Sequence, residues 1–225
     1  MSLPRGCKFI DARVRRAETH RGNVMFMPGM DHGAMPNAPS PPITGADPAT
    51  ISAIAATLRR FGPGAQRVAF DAGIRIVALG PSEGYRDRSH ALRRLAAGVD
   101  DWPIPPAGLF VVEERTVYLR SSSPMTVAHE FAHALDCALG GGIYLSGVDA
   151  RIRRAFECAT AFVTPYAASG LDEYFAEAMR AWVEANDTAS LWPRATRLRL
   201  RSVDLPIYDI IATLFATTFA APPQV

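Results

Sequence analysis

His129-Glu130-Phe131-Ala132-His133 constrains this chain more than any other stretch. It reads H-E-x-x-H. Residues at i and i+4 lie on one face of a helix, so both imidazoles can reach a single metal ion. Glu130 points roughly 100° away around the axis, beside the metal but free to act on a water. Two nitrogen ligands, one base and one open position make the helix of a zinc hydrolase.

The flanking residues specify that helix. Ser121-Ser122-Ser123-Pro124 supplies hydroxyl caps and a proline suited to the first helical position. Met125, Ala128, Phe131, Ala132, Leu135 and Leu139 recur at helical spacing, and Gly140-Gly141-Gly142 stops the run. Asp136 falls on almost the same face as His129, where it is expected to accept the N–H of a metal-bound imidazole. The plainer alternative is a pair of surface histidines on an amphipathic helix.

A catalytic zinc needs three protein ligands and a water. The metzincin continuation requires a glycine and a third histidine after His133; Asp136 and Leu139 stand there, which excludes that class. His20, His32 and His90 all lie upstream. Downstream, Gly170 breaks the chain before Leu171-Asp172-Glu173-Tyr174-Phe175-Ala176-Glu177-Ala178-Met179, whose first turn is acidic as the helix dipole favours. Glu173 and Glu177 share a face, and Phe175, Met179 and Trp182 can pack on the core side. This predicts Glu173 as the third ligand and Glu177 as the group orienting a zinc-bound histidine. The alternatives are an acidic face pairing with Arg180, or Glu157 as ligand from a separate helix.

His129 to Asp136, then Thr164-Pro165-Tyr166, six residues, and Glu173-Tyr174-Phe175-Ala176-Glu177-Ala178 resemble the anthrax lethal factor catalytic-domain family, which includes the secreted Pro-Pro endopeptidases. The resemblance spans roughly residues 124 to 185, just over a quarter of the chain. It implies that Glu173 is a zinc ligand, that Glu177 lies behind the ligands, and that the Tyr166 hydroxyl faces the active site. There Tyr166 would stabilise the tetrahedral oxyanion or assist the leaving amine. A core or loop tyrosine satisfied locally is the other reading of Tyr166. Ala132 stands where lethal factor has glycine. The upstream half carries no match, so substrate preference does not transfer. The expected activity is a gluzincin-type endopeptidase with Zn²⁺ as cofactor, in which a zinc-activated water attacks the peptide bond and Glu130 is general base. The competing class is a non-catalytic metal-binding or interaction module that keeps the zinc site.

With 225 residues and 48% hydrophobic content, the chain suits one globular domain with an N-terminal appendage. A net charge of +2 gives no argument for nucleic acid, so the expected partner is a peptide or protein substrate. Residues 205–221 are apolar but short for a bilayer and interrupted by Asp209, so no membrane span is expected. Residues 1–18 alternate charges without an apolar signal core. A cytoplasmic location is the default, and leaderless secretion would leave the same trace. Nothing specifies an oligomeric state. Cys7, Cys137 and Cys158 form no disulfide framework; Cys137 and Cys158 are read as small core residues.

Residues 27–48 are rich in Pro, Gly and Ala, so 1–48 is read as an extension and linker and 49–225 as the metallopeptidase domain. Four methionines and His32 within residues 25–35 suggest copper(I), or more plainly an apolar plug for a groove. Helices are expected over 50–60, 86–97, 152–163, 171–184 and 207–219, a buried strand over 74–79, and a hairpin of 109–112 with 116–119 about Glu113-Glu114-Arg115. Arg194, Arg197, Arg199 and Arg201, alternating with Leu198 and Leu200, read as a solvated extended edge. The fold class is α+β and zincin-like: a small mixed sheet, the H-E-x-x-H helix beneath it, and a helix-rich C-terminal half.

Overall fold

Four short strands form one mixed sheet in the computed structural model, which describes residues 39–45, 47–95, 98–190 and 193–220. All of these belong to the unit Ala38–Val225; the unit Met1–Asn37, with its methionine-rich stretch, lies outside the described residues. The strands are β1 (Ile43–Thr44), β2 (Arg75–Ala78), β3 (Gly108–Val111) and β4 (Thr116–Leu119), in the order β1-β2-β4-β3. β1, β2 and β4 run parallel, and β3 lies antiparallel at the edge, with Gly108 opposite Leu119 and Val111 opposite Thr116. Two-residue alternation sorts the faces. Ile76, Phe110, Val117 and Leu119 point into the main core, while Val111 and Tyr118 join Tyr85 and Leu79 on the other side. β1 lies inside the Pro-rich stretch read as linker; two residues are too few to carry a periodic signal.

The helices follow from local chemistry. Asp47 caps α1 (Pro48–Arg59) by accepting the N–H groups of Ala49 and Thr50. α2 (Gly62–Asp71) was not expected, because its Gly-Pro-Gly opening looks like a breaker. Gly64 lets it pass against the Phe219 carbonyl, which a β-carbon would strike. The expected helix 86–97 is instead two short turns, α3 (Tyr85–Arg88) and α4 (His90–Arg93). Ser89 is extended between them and caps the second by accepting the Leu92 N–H.

Ser123 caps α5 (Pro124–Leu139), Pro124 takes its first position, and Gly140 ends it. After the short turn α6 (Leu145–Val148), α7 (Ala150–Cys158) is capped by Asp149 and stops five residues earlier than the pattern suggested, where Ala159 turns extended. α8 (Leu171–Trp182) starts after Gly170 as expected. The arginine-leucine stretch is helical, not an extended edge: Thr196 accepts the Arg199 N–H and starts α9 (Arg197–Val203), burying Leu200 and exposing Leu198. α10 (Leu205–Ala216) is capped by Asp204, whose other carboxylate oxygen accepts the buried Tyr174 hydroxyl at 2.5 Å.

α5 is walled in on nearly all sides. Phe131 meets Phe61 edge to face at 5.0 Å, and Ala128, Ala132 and Leu135 are wholly buried. α8 contributes Phe175, Ala176 and Met179 to the same core. Each large side chain so buried contributes about 1.5–3 kcal/mol, which fixes both helices against rotation. Cys137 is a free thiol in this core, whereas Cys158, at the end of α7, is only partly buried and outside it, correcting its reading as a core residue. Among the described residues no helix is long and apolar enough to cross a membrane.

Candidate metal centre and active site

Three atoms from α5 and α8 converge. His129 Nε2 and His133 Nε2 are 3.1 Å apart, and Glu173 Oε2 lies 3.0 Å from the first and 3.3 Å from the second. At that distance the two rings either share a proton carried on one Nε2 or, with both lone pairs presented, hold a cation between them. Glu173 Oε2 is buried and makes no hydrogen bond with either ring despite its closeness. A tetrahedral ion with bonds of 2.0–2.1 Å separates its ligands by about 3.3 Å, so the triangle has the size that zinc requires. These residues fit the metal. Glu157 is exposed on α7 and plays no part in the cluster.

Electrostatics point the same way. Burial opposes ionisation of Glu173, but the two imidazoles hold its carboxyl far below the usual range. Burial likewise opposes charge on His129, yet Glu173 and Glu177 raise it well above an ordinary imidazole. The cluster therefore attracts a cation, either a proton or a metal.

Behind His129 stands Glu177, whose Oε1 accepts the Nδ1–H at 3.0 Å. The Arg180 guanidinium grips the same carboxylate with Nε at 2.8 Å and Nη2 at 2.7 Å, and the Thr164 hydroxyl donates to it at 2.5 Å. Sequence reasoning took Arg180 only as a surface partner and left Thr164 without a role. His133 is held differently. Its Nδ1 is buried without a hydrogen-bond partner among the described residues, and its ring packs 5.9 Å from that of Tyr144. Asp136, expected to accept an imidazole N–H, does not reach one. It accepts the Ser146 N–H at 2.8 Å and the Ser146 O–H at 2.5 Å. The glycine turn after α5 folds α6 back over this carboxylate, and the nearer donors win. Burial pushes Asp136 up to about 6.

Glu130 is buried beside the edge strand, and burial raises its pKa. A β-carbon on Gly108 would stand 2.5 Å from Glu130 Cγ and 2.9 Å from Thr126 Cγ2, so the close approach of β3 to α5 requires glycine there. An isolated glycine opening a strand was the signal that could have found it. Tyr166 lies at the rim, 44% exposed, its ring 5.4 Å from that of His129 and its hydroxyl donating to Glu173 Oε1 at 3.0 Å. A cleft of about 290 Å³ opens between Ala107, Gly108, Met125, His129, Glu130 and Tyr166. A larger cavity of about 580 Å³ lies near Gly45, Gly80 and Arg120, but none of the converging triad lines it. Chemistry, rather than size, locates the site.

No protein-family model matches the chain, and none of the curated proteins does. Solved structures do resemble it. One is the Pro-Pro endopeptidase from Paenibacillus alvei, with a TM-score of 0.55 over 77% of this chain and 96% of that one at 19% identity. Such a likeness speaks for the fold. The chain has a mixed α+β fold like that of this endopeptidase, and His129, His133 and Glu173 gather as a possible metal-binding cluster that fits a zincin-like site.

Proposed function

We propose that the protein is a zinc-dependent endopeptidase of the gluzincin type, with His129, His133 and Glu173 as metal ligands. One observation carries the reading: the H-E-x-x-H helix and a downstream glutamate bring three ligand atoms within 3.0–3.3 Å of one another, with Glu130 alongside. Bound there, zinc supplies a Lewis acid that polarises a carbonyl and acidifies water.

The chain's own groups perform the remaining work. Glu130 is the general base, and its upward shift by burial brings its proton affinity nearer to neutral pH. It takes a proton from the attacking water and delivers it to the leaving nitrogen. Tyr166 remains protonated, since burial and the neighbouring Glu173 raise its pKa, so its hydroxyl can donate to the developing oxyanion. Glu177 holds His129 in the tautomer that presents Nε2. β3 is an edge strand beside the cleft, suited to receive an extended peptide as an added strand. The resemblance of residues 124–185 to the lethal factor-like family and the fold likeness to a Pro-Pro endopeptidase both support a peptide or protein substrate.

The test is a peptide library that includes Pro-Pro bonds, incubated with zinc-loaded wild type and with Glu130→Gln. Wild type is expected to cleave, and the variant to keep its zinc and lose cleavage about 10²–10⁴-fold. Equal cleavage by both proteins would remove Glu130 from its role, and no cleavage by wild type would remove the activity.

A further inference from the structure

We propose that Arg180 and Thr164 are positioning residues for the metal centre, acting on His129 through Glu177. The inference rests on the reading that His129, His133 and Glu173 hold zinc.

α8 carries a ligand, an orienting group and a lock on successive turns: Glu173, Glu177 and Arg180. The Glu177 carboxylate accepts four hydrogen bonds. Oε1 takes His129 Nδ1–H at 3.0 Å and Arg180 Nε–H at 2.8 Å, while Oε2 takes Arg180 Nη2–H at 2.7 Å and the Thr164 O–H at 2.5 Å. A carboxylate has about four lone-pair sites, so this one is saturated. The two-pronged grip of the guanidinium also fixes the plane of the carboxylate. Neither rotation nor sliding remains open to Glu177, and the His129 ring inherits that rigidity.

The lock is itself anchored. Arg180 Nη1 donates to the Ala185 carbonyl at 3.0 Å and to Asn186 Oδ1 at 3.3 Å. Asn186 in turn accepts the Ala195 N–H at 2.9 Å and donates to the Ala195 carbonyl at 2.8 Å. The chain reaches this arrangement through a left-handed turn at Glu184, φ 53°. Thr164, Glu177 and Arg180 are 0, 3 and 2% exposed. A buried ion pair is weak evidence of stabilisation, because well-packed apolar residues usually serve as well. Its position directly behind one ligand gives it a use that stability does not. Among the described residues His133 Nδ1 has no such partner and its ring is held by packing against Tyr144, so hydrogen bonding orients the pair from the His129 side.

Zinc affinity, measured by competition with a chromogenic chelator, tests this on wild type, Thr164→Val, Arg180→Lys, Glu177→Gln and the Glu177→Gln/Arg180→Lys double variant. The visible spectrum of each cobalt-substituted protein is recorded alongside, because its bands follow ligand geometry and not overall stability. Thr164→Val and Arg180→Lys are expected to weaken zinc binding about 10–100-fold and to shift the cobalt bands. Arg180→Lys should add nothing once Glu177 is Gln. Unchanged affinity and spectrum in both single variants would overturn the proposal, as would a full additional loss in the double variant. If Arg180→Lys fails to fold, Thr164→Val alone decides by the same two readouts. Failure of wild type to bind zinc would instead overturn the metal site itself, and the wild-type titration separates that result from the others.

Discussion

Glu130 owes its place to a residue with no side chain. Gly108 on β3 leaves only enough room for Glu130 Cγ and Thr126 Cγ2, and a methyl group would push the carboxylate out of line. Gly108→Ala should therefore keep zinc and lower kcat by about 10²-fold, the usual cost of a misplaced reacting group. Metal analysis and steady-state kinetics on the same preparation check this. Glu177 makes a second prediction. Burial opposes its charge, but Arg180 and His129 more than offset that and hold it down at about 2, against an ordinary 4.5. A carboxyl that binds protons less tightly when folded stabilises the fold above pH 4.5, and the contribution fades as pH falls toward 2. The shift corresponds to roughly 3 kcal/mol. Denaturant midpoints at pH 7, 4 and 3 should fall steeply for wild type and less so for Glu177→Gln. The sequence displayed His129, Glu130 and His133 because four-residue spacing on a capped helix is a local property. Glu173 and Glu177 were readable for the same reason on α8. Asp136 was misread because its partner, Ser146, returns through a glycine turn that spacing does not describe. Gly108 and Thr164 act only across elements, so neither carries a local pattern.

At the scale of elements, α5 holds His129 and His133 in register because the core grips it on several sides. Phe61 reaches Phe131 from the start of α2, and Gly64 lets α2 pass close to the Phe219 carbonyl. Gly64→Ala should drive a methyl group into the Phe219 carbonyl and cost about 1–3 kcal/mol, as overpacking does, in urea denaturation of the metal-free protein. An unchanged midpoint would show that α2 can shift without loss. α5, α8 and α10 were legible from caps and apolar spacing. α2 was not, since its Gly-Pro-Gly opening imitates a loop while its burial depends on small residues. α9 was misread because arginine and leucine alternate at period two, and only the Thr196 cap and the burial of Leu200 reveal the helix. Ser89 splits the expected helix 86–97 because its extended backbone and hydroxyl cap the second turn.

For the whole molecule, an ion held by His129, His133 and Glu173 would tie α5 to α8 beyond their packing and the His129–Glu177 hydrogen bond. Zinc held at the proposed site would bind the folded chain in preference to the unfolded one, so removing it should lower stability by about 4 kcal/mol at a zinc concentration a thousandfold above Kd. Thermal melts with and without a chelator check the sign, and Glu173→Ala should melt alike in both. The α+β class was legible because a hairpin precedes the ligand helix and helices follow it. The strand order β1-β2-β4-β3 was not, because β1 is two residues long in a Pro-rich stretch and gains its identity only by pairing with β2. The account as a whole turns on α5 and α8 sharing one ion. Crystals of the zinc-loaded protein, with data collected on both sides of the zinc absorption edge, test that claim most directly. The account predicts one anomalous peak per chain, about 2.0–2.2 Å from His129 Nε2, His133 Nε2 and a Glu173 carboxylate oxygen. A peak elsewhere, or one at the two histidines with Glu173 turned away, would contradict it.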